Sequence, residues 1–234
     1  TEDATVKGEI TLGPETQPGD KITVTDKNGN PILDKDGNPL TDYELTQDDI
    51  ENGITVDVPV EPGDEDVELN VEVTDPAGNS STGKDSNPVD NVTPTVEVEL
   101  EPGTGPNGDY NAADTEDGKV SGTVTFGPET EVGDTVQITD KDGNILLERP
   151  ITQDDLDNGI TVDVPVVNGQ TEVELNAKVT DPAGNSSAGS DDNPVDNVTP
   201  GVSVEFQGAG DDGVYNVDEI ANGEVDALVT LDGN

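Results

Sequence analysis

A tandem array of all-β sandwiches is the architecture this sequence predicts, and three observations predict it. Segments recur at a fixed spacing, apolar and polar residues alternate at period two, and 27 Gly and 17 Pro among 234 residues punctuate short runs rich in Val, Ile and Thr. VTDPAGNSS recurs at Val73 and Val179, VDNVTP at Val89 and Val195, and TQDD at Thr46 and Thr152, each displaced by 106 residues. GPET at Gly13 and Gly127 and TED at Thr1 and Thr115 are displaced by 114 instead. The difference is accounted for by DKNGNPIL (26–33) followed directly by DKDGNPLT (34–41), which reads as a local duplication lengthening one loop. A third copy opens after Pro200, where YN at Tyr110 recurs at Tyr215. The spacing predicts three domains: 1–94, a repeat lacking its first strand; 95–200, a complete repeat; and 201–234, the opening third of a further one. The chain is expected to be a window on a longer array.

In the complete copy, residues i and i+2 share a strand face, so the alternation marks each strand in turn. Val96, Val98 and Leu100 form the first, Val120, Val124 and Phe126 the second, and Val136 with Ile138 the third. Ile145 to Leu147 suggests a short fourth strand, Ile160 to Val166 a fifth, Val173 to Val179 a sixth, and the stretch after Asn185 a seventh. Seven short strands in a repeat of this length indicate an immunoglobulin-like β-sandwich. DKDGN, VNGQ and DPAGN supply turn residues between strands, and TQDDLDNG, with Thr or Asp able to cap and Gly at its end, predicts one helical turn. Counting reversals places GDYNAAD, DKDGN, VNGQ and VDNVTP at one end of the sandwich. GPETEVGD, TQDDLDNG, DPAGN and the chain entry fall at the other.

Charge and composition narrow the chemistry. Nine Lys and Arg face 54 Asp and Glu, for a formal charge of −45, with no His and no Cys. Imidazole and thiol chemistry, zinc and disulfides are therefore excluded. A surface of this sign repels nucleic acid and anionic membrane and favours cations. No apolar run approaches the length of a membrane span. Hydrophobic residues are 29% of the chain, so composition alone leaves an unfolded chain open and the repeat pattern decides for folding. Some pair of carboxylates at glycosidase spacing is inevitable among so many acids, and 2% aromatic residues offer little surface on which a sugar stacks, so no enzyme is expected. NSS and NVT match glycosylation sequons at Asn79, Asn91, Asn185 and Asn197, where turn and linker chemistry is the competing reading.

VTDPAGNSS closing the last hairpin, followed by a VDNVTP linker, resembles the tandem Ig-like extender repeats of giant bacterial RTX adhesins and Bap-like biofilm-associated surface proteins. That resemblance covers essentially the whole chain. It implies extracellular repeats at the bacterial cell surface that hold a distal binding tip away from the cell, with calcium at the junctions stiffening the array. Its best candidate ligands are the linker residues Asp90 and Asp196, with Asn91 and Asn197 beside them. Ca²⁺ takes six to eight oxygens from carboxylates, amides, carbonyls and water. The third copy's DDGVYNVDE also resembles the later half of a DxDxDGxxxxxE loop, with Asp212 and Gly213 at positions five and six, Glu219 at twelve and Asn216 between; the equivalents in the second copy are Asn107, Gly108 and Asp114, and Asp109 and Asn111 stand beside them as further candidate ligands. Gly208 and Gly210, and Gly103 and Gly105, occupy the first two ligand positions, so an ion there must borrow oxygens from Asp196 and Asn197. Asp140 and Asp142 in DKDGN belong first to a hairpin turn and secondly to a shared ion cluster.

The sequence thus predicts a non-enzymatic extender whose partners are calcium ions and neighbouring repeats of the same chain, with no nucleic acid and no membrane insertion. Two alternatives stand beside it. One is a module gripping protein or glycan, for which the duplication at 34–41 is the feature that differs between copies. The other is a biofilm-matrix filament assembled by strand exchange.

Overall fold

The computed structural model describes residues 4–211, 213–220 and 223–232. The chain forms two compact units, Thr1–Thr93 with Ala183–Asn185, and Pro94–Pro182 with Ser186–Asn234.

The first unit runs β1 (Thr5–Ile10), β2 (Lys21–Thr25), β3 (Tyr43–Glu44), α1 (Gln47–Asn52), β4 (Ile54–Pro59), β5 (Asp66–Thr74) and β6 (Ser80–Pro88). One sheet is the antiparallel pair β1 and β4, and the other has the order β3-β2-β5-β6. Alternation turns Val56 and Val58 inward from β4, where they meet Ile22 and Val24 of β2, and Ile32, Leu40 and Leu45 complete the core. The duplicated segment does more than lengthen a loop. Ile32 N–H donates to Val24 O at 2.9 Å and Leu40 N–H to Ile32 O at 2.8 Å, so both residues add strand-like rungs, and both are buried. The second DKDGN is consequently a second turn stacked on the first, an extension of the core.

The second unit continues with β7 (Val96–Leu100), β8 (Tyr110–Asn111), β9 (Lys119–Phe126), β10 (Thr135–Asp140), β11 (Ile145–Pro150), α2 (Gln153–Asn158), β12 (Ile160–Pro165), β13 (Glu172–Thr180) and β14 (Ser186–Asp196). Its sheets have the orders β12-β9-β7 and β11-β10-β13-β14-β8, an all-β sandwich. All seven strands and the helical turn predicted for this copy are present. The sequence did not predict β8, whose two residues pair in parallel with Val195 and Asp196 at the end of β14. Val136, Ile138, Val173, Leu175, Ala177 and Val179 from one sheet interdigitate with Leu100, Val120, Val124, Ile160 and Val164 from the other. Gly122 is required at its place on β9, because a Cβ would stand 2.4 Å from Leu175 Cδ2 and 3.2 Å from Leu100 Cδ2. Beyond Pro200, β15 (Gly201–Phe206) and β16 (Ala227–Asp232) pair as an antiparallel ribbon.

Each helical turn opens with a reciprocal capping box, Thr46 with Asp49 and Thr152 with Asp155. The two then diverge. Arg149 grips both oxygens of Asp155, at 2.6 and 2.7 Å, whereas its counterpart Tyr43 gives Asp49 a single hydroxyl bond of 3.2 Å. The guanidinium, outweighing the opposing effect of burial, holds the Asp155 carboxyl well below the usual carboxylate range. A carboxyl that titrates lower in the folded than in the unfolded chain stabilises the fold fully above its unfolded pKa, and that stabilisation is lost as pH falls through the folded value. Asp155→Asn is therefore expected to destabilise the second repeat by about 2–3 kcal/mol at neutral pH, from a lost charged hydrogen-bond pair and a weakened cap. Asp49→Asn should cost less. Calorimetric melts from pH 7 downward check this: the wild-type advantage over Asp155→Asn should shrink below about pH 4.

Candidate functional site

The candidate ligands lie on turns and on the linkers, and the physical question is what their oxygens already hold. In the DxxGN turns the Asp carboxylate closes the loop on itself. Asp140 Oδ1 accepts from Asp142 N and Asn144 N, both at 2.9 Å, and its Oδ2 accepts from Asn144 Nδ2 at 2.8 Å. Asp26, Asp34 and Asp75 do the same with Asn30, Asn38 and Asn79. Gly at the fourth position reaches φ of 79°, 84°, 89° and 80° in the four turns, a left-handed backbone that admits few other residues. Hydrogen bonding to the charged form lowers the acid's pKa, led by the Asn79 side chain at Asp75 and the Asn38 backbone at Asp34. Asp142 contributes its backbone N–H to this turn.

The loop before β9 follows the same economy. Asp114 Oδ2 accepts from Thr104 N at 3.0 Å and Asn111 N at 2.9 Å, and its Oδ1 accepts from the Thr104 hydroxyl at 2.8 Å. Asn111 Oδ1 receives Ala113 N and Asp114 N, and its amide donates to Thr104 Oγ1. Gly103 and Gly105, which stand where acids would in a complete calcium loop, pass so close to the Asp109 carbonyl that a Cβ would lie 2.3 and 2.6 Å from it. The third copy repeats the device: Glu219 Oε2 accepts from Asn216 N at 2.8 Å, and Asn216 Oδ1 from Asp218 N at 2.9 Å. Asp212 lies outside the described residues. Above this loop the Tyr110 hydroxyl donates to Glu101 O, as Tyr215 does to Gln207 O.

The linkers are anchored by their asparagines. Asn197, 9% exposed, accepts from Gly169 N at 2.8 Å and donates to Val167 O at 3.1 Å. Asn91 makes the equivalent pair with Gly63 N and Glu61 O at 2.8 and 2.7 Å. These bonds fasten each repeat's exit to its VNGQ-type turn, and the β8–β14 pairing sets Asp196 opposite Asn111. Asp90 Oδ1 accepts a long 3.2 Å bond from Val92 N, and both Asp90 and Asp196 are exposed. The acids therefore divide into those consumed by capping, Asp114, Asp140 and Glu219, and those left toward solvent at the repeat ends, Asp90, Asp142 and Asp196. Among the described residues no group of three or more acids stands together to hold a metal. A cation here would need amide and carbonyl oxygens to complete its shell.

Sequence reading missed the Arg149–Asp155 pair and a second family of caps, in which Asp20, Asp64 and Asp134 accept from the main chain three residues back. The PGD and VGD triplets are the signal that marks them.

No family model matches the chain, and no curated protein does. Solved structures similar to it include a Ca²⁺-stabilized adhesin with which an Antarctic bacterium reaches out and binds ice, at 22% identity and TM-score 0.39, covering 99% of this chain and 53% of that one. Another is from a 1.5-MDa bacterial ice-binding adhesin, in work on host cell surface retention, at 18% identity and TM-score 0.38, covering 99% and 70%. A third is a tetra-tandem repeat from the extending region of a large adhesion protein, at 17% identity and TM-score 0.32, covering 98% and 52%. The chain thus spans about half the length of the first and third. These neighbours are of the adhesin class that VTDPAGNSS and VDNVTP resemble.

Asn197→Ala leaves Gly169 N and Val167 O without their partner in a buried place, at an expected cost of about 1–3 kcal/mol. Asn91→Ala, on a more exposed linker, should cost less. Urea denaturation of the two variants against wild type checks the order.

Proposed function

We propose that this chain is a non-enzymatic extender segment of a bacterial cell-surface adhesin, with calcium at the junctions between repeats restricting their bending. The observation that carries the reading is that one sandwich design recurs at a displacement of 106 residues with a separate hydrophobic core in each copy. Closed cores in series make length, and length is what an extender supplies. The linker asparagines support it further, because each pins the exit of its own repeat and shortens the free hinge to the few residues before Thr95 or Gly201. The charge of −45 supports the ion's part: repulsion between repeat ends opposes a fixed angle until a divalent cation is bound. Asp90 and Asp196 are the acids we assign to that ion, since capping leaves their carboxylates largely uncommitted. They would supply charge, and backbone and amide oxygens the rest of the shell.

Calcium that binds only the folded state adds about 2.7 kcal/mol per site at a hundredfold excess over its dissociation constant. Small-angle scattering in millimolar calcium should give a longer, stiffer particle than in chelator. Asp90→Ala and Asp196→Ala should reduce that difference while leaving the melts in chelator nearly unchanged. Identical profiles with and without calcium would sink the calcium part of the proposal.

A further inference from the structure

Asn-Gly is the pair most open to deamidation, because glycine puts no side chain in the path of its nitrogen toward the asparagine carboxamide. The described residues hold five such pairs, and in each the glycine N–H is engaged in a hydrogen bond. At Gly29, Gly53, Gly108 and Gly159 the acceptor is a main-chain carbonyl of the same turn, three or four residues back, at 3.1, 2.9, 3.1 and 2.8 Å. Asn52 and Asn158 are held a second time, their amides donating to Asp48 and Asp154 at 2.8 and 2.9 Å. Gly169 differs. Its N–H goes to a side chain, Asn197 Oδ1 at 2.8 Å, 28 residues on in the linker that leaves the repeat. Asn168 is exposed, so water reaches its carboxamide, and the nitrogen that would attack it is restrained by the linker.

The first repeat fastens its linker in the same way, Asn91 on Gly63 N, but Pro62 precedes that glycine and offers no carboxamide. The second repeat's turn is closed without Asn197, since Gln170 N donates to Val167 O at 3.1 Å and Val167 N to Gln170 Oε1 at 3.0 Å. Loss of the linker contact therefore frees the Gly169 nitrogen while those two bonds remain. We propose that Asn168 is a covalent modification site gated by Asn197. When the linker lets go, Gly169 N attacks Asn168 Cγ, the bond from Cγ to Nδ2 breaks, and Nδ2 leaves as ammonia, taking up by way of water the proton that Gly169 N gives up. Water then opens the cyclic imide to aspartate or isoaspartate. Isoaspartate adds a methylene to the main chain at the turn to which the linker is fastened, so the reaction is a one-way record of detachment. This rests on neither the extender reading nor calcium.

The test is peptide mass spectrometry of the full chain after incubation at mildly alkaline pH, native and in urea, with aspartate and isoaspartate counted at each Asn-Gly pair. Asn168 should react slowly in the native wild type and quickly in urea. In native Asn197→Ala its rate should rise roughly five- to tenfold, the factor by which one lost hydrogen bond shifts a local opening. Asn158 of the same repeat is the internal control and should stay slow, which separates a freed turn from a repeat that has unfolded. Asn197→Asp keeps an acceptor for Gly169 N and should hold Asn168 near the wild-type rate. Native Asn168 reacting as fast as in urea, an unchanged rate in Asn197→Ala, equal acceleration at Asn158, or Asn197→Asp as fast as Asn197→Ala would each overturn the proposal.

Discussion

Main-chain N–H groups at the turns, and the carboxylates that accept them, are the contact on which these repeats depend. A chain of net charge −45 folds against its own repulsion, and it has few aromatic side chains with which to compensate. Placing Asp at the first position of a DxxGN turn makes the charge useful: one carboxylate gathers up to three donors of an exposed turn, two from the main chain and one from the Asn side chain, and so fixes its shape. The same holds for Asp20 and Asp134, both buried, which accept from Gln17 N and Glu131 N. Many of the acids are therefore structural parts with defined partners, and the composition overstates the charge available to an ion.

The core imposes the complementary constraint. With Val and Ile doing most of the filling, the sheets approach closely enough that Gly122 must give up its side chain to Leu175 and Leu100. Gly8 stands at the same point of the first repeat, its missing Cβ 2.9 Å from Leu69 Cδ2 and without a leucine of the β7 kind above it. Close packing without large rings makes each strand's contribution visible when one is absent.

What the sequence showed and what it hid follow from range. Val96 to Leu100, Val120 to Phe126 and Val173 to Val179 announce themselves by period-two alternation, a property of neighbouring residues, and TQDD declares its helical turn through Thr and an acid three residues on. Tyr110 and Asn111 carry no periodic signal, because two residues suffice for a parallel bridge whose cause lies at Val195, far along the chain. Arg149 and Asp155 are six residues apart, a spacing that no helix or strand rule connects; β11 and α2 meet there only because the chain folds back. The candidate ligands were legible as oxygen-rich turns. How far each oxygen was already spent on backbone N–H groups was not, since that depends on the left-handed Gly and on where Asn places its amide.

The two repeats also show how one design tolerates drift. At the helical turn, Arg149 supplies the second repeat with a two-point ion pair where Tyr43 gives the first a single hydroxyl bond. In return, the first repeat has Lys27 bridging Asp64 and Asp66 at 3.0 and 2.8 Å, and the buried rung of Ile32 added by the duplication. Lys27 ties the DKNGN turn to the turn that Asn91 fastens to the linker, so the first repeat is reinforced at its exit end and the second at its entry end. The two repeats are thus reinforced at opposite ends, each around a hydrophobic core of its own.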